Sequence, residues 1–282
     1  MHARKTLVNF FGLGVGTLAK QIYSYLRLHP EVYSPDISLN FFSDTKIYHQ
    51  GIDWYESNFH SSSLGVKRGE LANNYLGCIM AVPLIASTYP NAKLFAVIDN
   101  PLLAVRVAYV EALRNGFIKS DITLTQFLKQ NPEILLRFCF GKHLTQYFSF
   151  YSHNDLLVLL ASEISDDPIK NISILYKYLE IDHNFVPLIL KHLLPEEEED
   201  PKKRGGFIKR SIKFVIKFVK KNITNFLKRF RTSKEKPDAI LLEAKEMVLS
   251  KELEQFLRDY YRQDVKVLSN LLHRNFNEEW GI

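Results

Sequence analysis

The sequence predicts an α/β fold, a three-layer sandwich with helices on both sides of a mostly parallel central sheet. Three observations predict it. Short apolar runs bounded by polar or turn residues recur along the chain, as strands covered on both faces do. Amphipathic stretches of helical length separate them. The alternation of the two argues for parallel strands joined by right-handed crossovers.

The elements follow in order. Residues 7–11, Leu-Val-Asn-Phe-Phe, read as the first buried strand. Gly12-Leu-Gly-Val-Gly-Thr17 reads as a tight loop, and residues 17–27 as a helix that ends at Leu28-His-Pro30. Such a strand–loop–helix start aims free backbone N–H groups and a positive helix end at an anion. Its glycines let the backbone approach that anion closely. Residues 71–87 read as a helix, 93–98 as the second strand and 101–115 as the helix after it. Two more helices are expected over 123–129 and 132–152, and the third strand over 155–160. Asp167-Pro168 opens a helix over 168–179, with a capping aspartate and a proline in the first turn. A last helix is expected over 184–193.

Two charged breaks divide the rest. Pro195-Glu-Glu-Glu-Glu-Asp-Pro201 is the first, and Thr232-Ser-Lys-Glu-Lys-Pro237 the second. The expected organisation is an α/β domain over 1–195, a charged linker with an inserted basic amphipathic helix over 196–236, and C-terminal helices over 237–282 that complete the domain.

Composition bounds the function. At 282 residues, 46% hydrophobic and 24% charged, the chain buries a full core, which excludes a disordered class. Cys78 and Cys139 fit a reducing compartment better than a disulfide scaffold. The histidines, among them His2, His29, His49, His60, His153 and His183, show no metal-ligand spacing and read as surface or structural. Asn9 and the glycines break the apolar run after Met-His-Ala-Arg-Lys, so it does not read as a cleaved signal. No uninterrupted apolar stretch is long enough to span a bilayer. The expected location is cytoplasmic, peripheral at the inner face of the membrane.

The first loop has two other readings. A dinucleotide fingerprint would need a third glycine where Thr17 stands and an acid ending a second strand. A Walker loop needs a lysine that is absent.

An ordered series of motifs runs through the chain outside 196–236. After the loop come Leu26…His29-Pro30, Asn40-Phe41-Phe42, Gly51-Ile-Asp-Trp54-Tyr55, Gly69-Glu70…Tyr75 and Pro90-Asn-Ala-Lys93 leading to Asn100-Pro101. Then come Leu156 to Leu160, Glu163, Asp167-Pro168, Tyr178-Leu179 and Tyr260-Tyr261…Asp264…Leu268. The series resembles the sulfotransferase family, the carbohydrate-type enzymes that use 3′-phosphoadenosine-5′-phosphosulfate (PAPS). The resemblance implies a P-loop-like fold, PAPS as cofactor, and transfer of a sulfuryl group to a hydroxyl of a carbohydrate or glycolipid. It implies donor binding by Gly14, Val15, Gly16, Thr17 and Leu18. Trp54 and Tyr55 fit the wall of a sugar site, with core packing expected for at least one of them.

The departures from the family are as orderly as the matches. Gly14 stands where members carry the lysine that holds the 5′-phosphosulfate. Asp99 and Val107 stand where an arginine and a serine hold the 3′-phosphate. Ile37 and Ser38 replace the lysine–glutamate pair that supplies the usual base. A carboxylate at Asp99 would repel a phosphate. Arg106 is one substitute cation for the 3′-phosphate, Lys20 is another with its side chain expected to point away from the loop, and Asp36 or Asp44 is a substitute base. The two functional readings are an active, divergent sulfotransferase and a catalytically inactive relative that binds a glycan, lipid or protein.

Residues 202–231 hold twelve basic side chains and no acidic one, so a chain of net charge +6 carries −6 elsewhere. Within 207–231, apolar residues at 208, 212, 215, 216, 219, 223, 226, 227 and 230 form one helical stripe, widened by Phe214 and Phe218. The expected partner is an anionic membrane surface; the alternatives are a helix docked on the α/β domain with its charges in solvent, and an acidic glycan. No nucleic acid is expected, since no reading motif accompanies the charge.

Overall fold

A computed structural model of the chain describes residues 7–14, 17–59, 65–193 and 237–282. Its sheet has five strands: β1 (Phe10–Leu13), β2 (Val32–Tyr33), β3 (Lys67–Ala72), β4 (Lys93–Ile98) and β5 (Leu156–Leu160). Their order is β2-β3-β1-β4-β5, and every pairing is parallel. β1 is buried at each residue, so both of its faces are covered, as the apolar run requires.

The helices are α1 (Thr17–Leu26), α2 (Thr45–Tyr48), α3 (Gly51–Ser57), α4 (Ala81–Thr88), α5 (Pro101–Arg114), α6 (Leu124–Gln130), α7 (Glu133–Arg137) and α8 (Phe140–Phe148). They continue with α9 (Ala161–Asp166), α10 (Pro168–Tyr178), a 3₁₀ turn over Leu188–Leu193, α11 (Pro237–Glu246), α12 (Lys251–Leu272) and α13 (Phe276–Trp280). The expected helix start at Asp167-Pro168 is present, with the Asp167 side chain accepting from the Lys170 amide. The basic stretch 207–231 lies outside the described residues.

Four expectations about elements are corrected. β1 runs through Leu13, so Gly12 belongs to the strand and not to the loop. A Cβ on Gly12 would lie 2.7 Å from the Phe95 ring. The helix expected over 71–87 begins only at Ala81, because residues up to Ala72 complete β3. The helix expected over 132–152 is two, α7 and α8, broken at Phe138 and Cys139. Residues 184–193 hold only the 3₁₀ turn.

β3 escaped the sequence reading because Lys67-Arg-Gly-Glu-Leu-Ala72 looks polar. Tertiary contacts explain its residues. The Glu70 carboxylate is fully buried and accepts from the Asn40 amide at 2.8 Å, the Tyr55 hydroxyl at 2.8 Å and the Tyr75 hydroxyl at 2.6 Å. The Phe42 amide donates to Tyr75 Oη at 3.1 Å. A buried carboxylate is tolerable only when so satisfied. Three motifs far apart in sequence, Asn40-Phe41-Phe42, Trp54-Tyr55 and Glu70…Tyr75, thus meet at one buried acid. Burial raises the pKa of Glu70 and of both tyrosines. Around it pack Phe11, Phe41, Phe42 and Tyr89 with ring centroids 4.6–6.3 Å apart, within the range of favourable aromatic pairs.

Candidate anion site at the sheet switch point

The chain leaves β1 toward β2 and β3 on one side of the sheet, while β4 and β5 lie on the other. Ligands of open parallel sheets bind at such a reversal, outside the carboxyl ends of the strands. Here those ends are Leu13-Gly14 of β1 and Ile98-Asp99 of β4. α1 begins at Thr17, as expected, so its first amides face this crevice. Val15 and Gly16 lie outside the described residues, and Leu18 contributes backbone to the first turn of α1. The helices α5 and α11 complete the surround; α11 packs against both α1 and α5.

Gly14 is glycine for an inward reason. A Cβ there would lie 2.4 Å from Ala19 Cβ and 2.6 Å from Tyr23 Oη. Its amide donates to the Ala72 carbonyl, and the Tyr23 hydroxyl donates to the same carbonyl at 3.2 Å. Tyr23 fills the space beneath Gly14. The bare side of Gly14 therefore faces the core, and not the ligand as the loop motif suggests.

Asp99 is 2% exposed. Its carboxylate accepts from its neighbour's amide, Asn100, at 2.7 Å and from the Ser162 amide at 2.5 Å, tying the end of β4 to the first turn of α9. Burial raises its pKa, and Lys245 of α11 is close enough to oppose that shift. The expected repulsive carboxylate is thus buried and engaged by backbone donors. Val107 is core, 2% exposed.

The substitute groups are mostly engaged. Arg106 donates from Nε to the Leu102 carbonyl and from Nη1 to the Met247 carbonyl at 3.1 Å, so it fastens the chain after α11 to α5. Ser38 donates to Asn40 Oδ1 at 2.8 Å. Asp44 caps α2 by accepting from the Lys46 and Ile47 amides. The charge of Asp36 is felt by the half-buried Arg27. Lys20 reverses its expectation: its side chain comes back along the helix, with Nζ 3.2 Å from Thr17 Oγ1 and 2.5 Å from Glu111 Oε1 of α5. Arg137 of α7 also senses the Glu111 charge. The sequence names Lys20 only by its one-turn spacing from Thr17; nothing local marks Glu111 or Arg137.

Two further motif residues have structural roles. His29 is buried between Tyr176 and Phe185, its Nδ1 accepting from the Glu31 amide and its Nε2 bonded to the Asp182 carbonyl. Of the aromatic pair, Tyr55 is core and Trp54 is half-buried against Phe41.

No family model matches the chain. The human bifunctional heparan sulfate N-deacetylase/N-sulfotransferase 1 is 25% identical over 189 residues, covering 59% of this chain and 21% of that protein. The mouse bifunctional heparan sulfate N-deacetylase/N-sulfotransferase 4 is 24% identical over 283 residues, covering 92% of this chain and 29% of that one. The chain therefore spans under a third of the length of these curated relatives. A crystal structure of a sulfotransferase from Alicyclobacillus acidocaldarius matches it over 99% of this chain and 100% of that one, with a TM-score of 0.68 at 18% identity.

The chain has the sulfotransferase fold. A second solved relative in fold, the sulfotransferase domain of the Synechococcus PCC 7002 olefin synthase, covers 93% of this chain and 96% of its own, with a TM-score of 0.54 at 11% identity. The chain has the five-stranded parallel sheet of that fold, with α1 following β1. Its departures at Gly14, Ser38, Asp99 and Val107 are each accommodated by local packing or hydrogen bonding.

Proposed function

We propose that the chain is a catalytically inactive sulfotransferase-fold protein that binds a phosphate or sulfate ester of a carbohydrate at the amino end of α1. Asp99 is the observation that carries this reading. At the strand end where the family resemblance places an arginine for the donor's 3′-phosphate, the chain has a buried acid spent on two backbone amides. Val107, in the serine's place, offers no hydroxyl. The 3′-phosphate end of PAPS therefore does not fit these residues. The 5′ end fits in part, since Thr17, the α1 amides and Lys20 suit one anionic ester group.

The chemistry of transfer rests on charges placed in advance around spreading negative charge. Loss of one such group costs on the order of 10²–10³ in rate. Four family positions are changed here, and both substitute bases are engaged. The carbohydrate class is taken from the names of the heparan sulfate relatives. Among the described residues no helix is long and apolar enough to cross a membrane. The basic stretch 202–231 supports a place at an anionic membrane surface.

Lys20 beside Thr17 favours a second reading, residual transfer with Lys20 as the donor's cation. One assay separates the two: label transfer from sulfur-35 PAPS to desulfated heparan oligosaccharides, run beside calorimetric titration with adenosine 3′,5′-bisphosphate. The expected result is no transfer above the protein-free control, with binding weaker than submicromolar. Measurable transfer, or submicromolar binding, overturns the inactive reading.

A further inference from the structure

The Lys20 ammonium lies 3.2 Å from Thr17 Oγ1 in the first turn of α1, and it is already paired. Its partner, Glu111, comes from α5, ninety-one residues away, and its side chain is only 21% exposed, against 44% for Lys20. Glu111 is thus held by the fold, while Lys20 sits at the end of a flexible stem. Arg137 of α7 is near enough to feel the same negative charge. Glu111 is thus paired with Lys20 beside the first turn of α1.

We infer that Glu111 is a built-in anion that holds Lys20 and weakens the seat for an incoming phosphate or sulfate ester. The inference rests on the reading of this turn as an anion seat. Two physical routes give the same sign. An ester oxygen that replaces the carboxylate must break a charge-assisted hydrogen bond first. An ester that uses the remaining ammonium donor instead must tolerate a carboxylate alongside it, at like charge. Removing the charge of Glu111 removes both costs. Glu111→Gln keeps the size and the hydrogen-bonding oxygen, so the packing between α5 and α7 is retained.

The test is calorimetric titration of the intact chain at low salt with two probes, adenosine 3′,5′-bisphosphate and inorganic pyrophosphate. Five proteins are compared: wild type, Glu111→Gln, Lys20→Met, the double variant, and Glu252→Gln on the exposed start of α12 as a charge control. Circular dichroism checks that each is folded. Glu111→Gln is expected to tighten both probes about tenfold, the scale of one charged hydrogen bond. Lys20→Met weakens them, the double variant matches Lys20→Met, and the control stays at wild type. Binding by Glu111→Gln where wild type shows none supports the inference in its strongest form. Equal affinity of wild type and Glu111→Gln overturns it and leaves the seat standing. So does a tightening that persists in the double variant or is copied by the control, because the effect is then general charge. No binding of either probe to wild type or Glu111→Gln overturns the seat itself.

Discussion

Tyr23 lies beneath Gly12 and Gly14 at the end of β1 and explains why the family's loop lysine has no room here. Its ring closes on Gly12 and Gly14, and its hydroxyl reaches the Ala72 carbonyl. Any side chain at position 14 begins with a Cβ inside van der Waals contact of Ala19 and Tyr23. Restoring the lysine by Gly14→Lys is therefore expected to destabilise the fold by about 1–3 kcal/mol, the cost of overpacking a filled interior. It should not improve binding of adenosine 3′,5′-bisphosphate. Urea denaturation and calorimetry measure the two effects. A variant of unchanged stability that binds more tightly would show that the turn opens toward the ligand. Cys139 is a contrasting residue, since nothing at the site needs it. Burial pushes its thiol up to about 11, and it and Cys78 are free. Cys139 accordingly reads as a packing residue.

Helix α12 shows the same logic at the level of elements. Its Asp264 carboxylate leaves its own helix and accepts from the Gly141 amide at 2.9 Å and the Lys142 amide at 2.8 Å, capping the first turn of α8. The two helices approach so closely that a Cβ on Gly141 would lie 2.2 Å from the Asp264 backbone oxygen. A backbone atom inside a helix cannot step aside as a side chain can, so the helices must separate. Gly141→Ala is expected to cost about 2–4 kcal/mol, read as a fall in the urea midpoint. A loss under about 0.5 kcal/mol, the usual scale of an innocuous surface change, would mean that α8 and α12 pack less closely. α11 is fixed differently, by Arg106 to the Met247 carbonyl and by Arg114 to Glu243. These contacts hold the C-terminal segment against the helix that also carries Glu111.

For the whole molecule the governing fact is division of charge. Twelve basic residues lie in 202–231 and the remainder of the chain is net acidic. An anionic surface would attract that segment by about 1 kcal/mol per basic residue close to it, screened over a Debye length of about 8 Å. The apolar residues of 207–231 would add a part that salt does not remove. The intact chain is expected to co-sediment with phosphatidylserine vesicles, more weakly as salt rises, and a chain lacking residues 203–233 is expected to stay in solution. Equal sedimentation of the two chains would defeat the membrane proposal.

The alternation of apolar runs and amphipathic stretches, the start of α1 at Thr17, the cap at Asp167 and the order of family motifs were all legible in the chain. Each is written in neighbouring residues: hydrophobic periodicity, a capping side chain or a turn. What lay beyond such reading depends on contacts between distant segments. β3 looked polar until Glu70 met the tyrosines at 55 and 75. Asp99 looked repulsive until the Ser162 amide, at the start of a helix sixty-three residues on, took its carboxylate. Lys20 looked outward, yet its ammonium meets Glu111 and Thr17 beside the first turn of α1. A lone sequence states which charges and hydroxyls exist, because those are properties of residue type. Which of them face one another is decided by packing, and a buried charge goes wherever the fold supplies its hydrogen bonds.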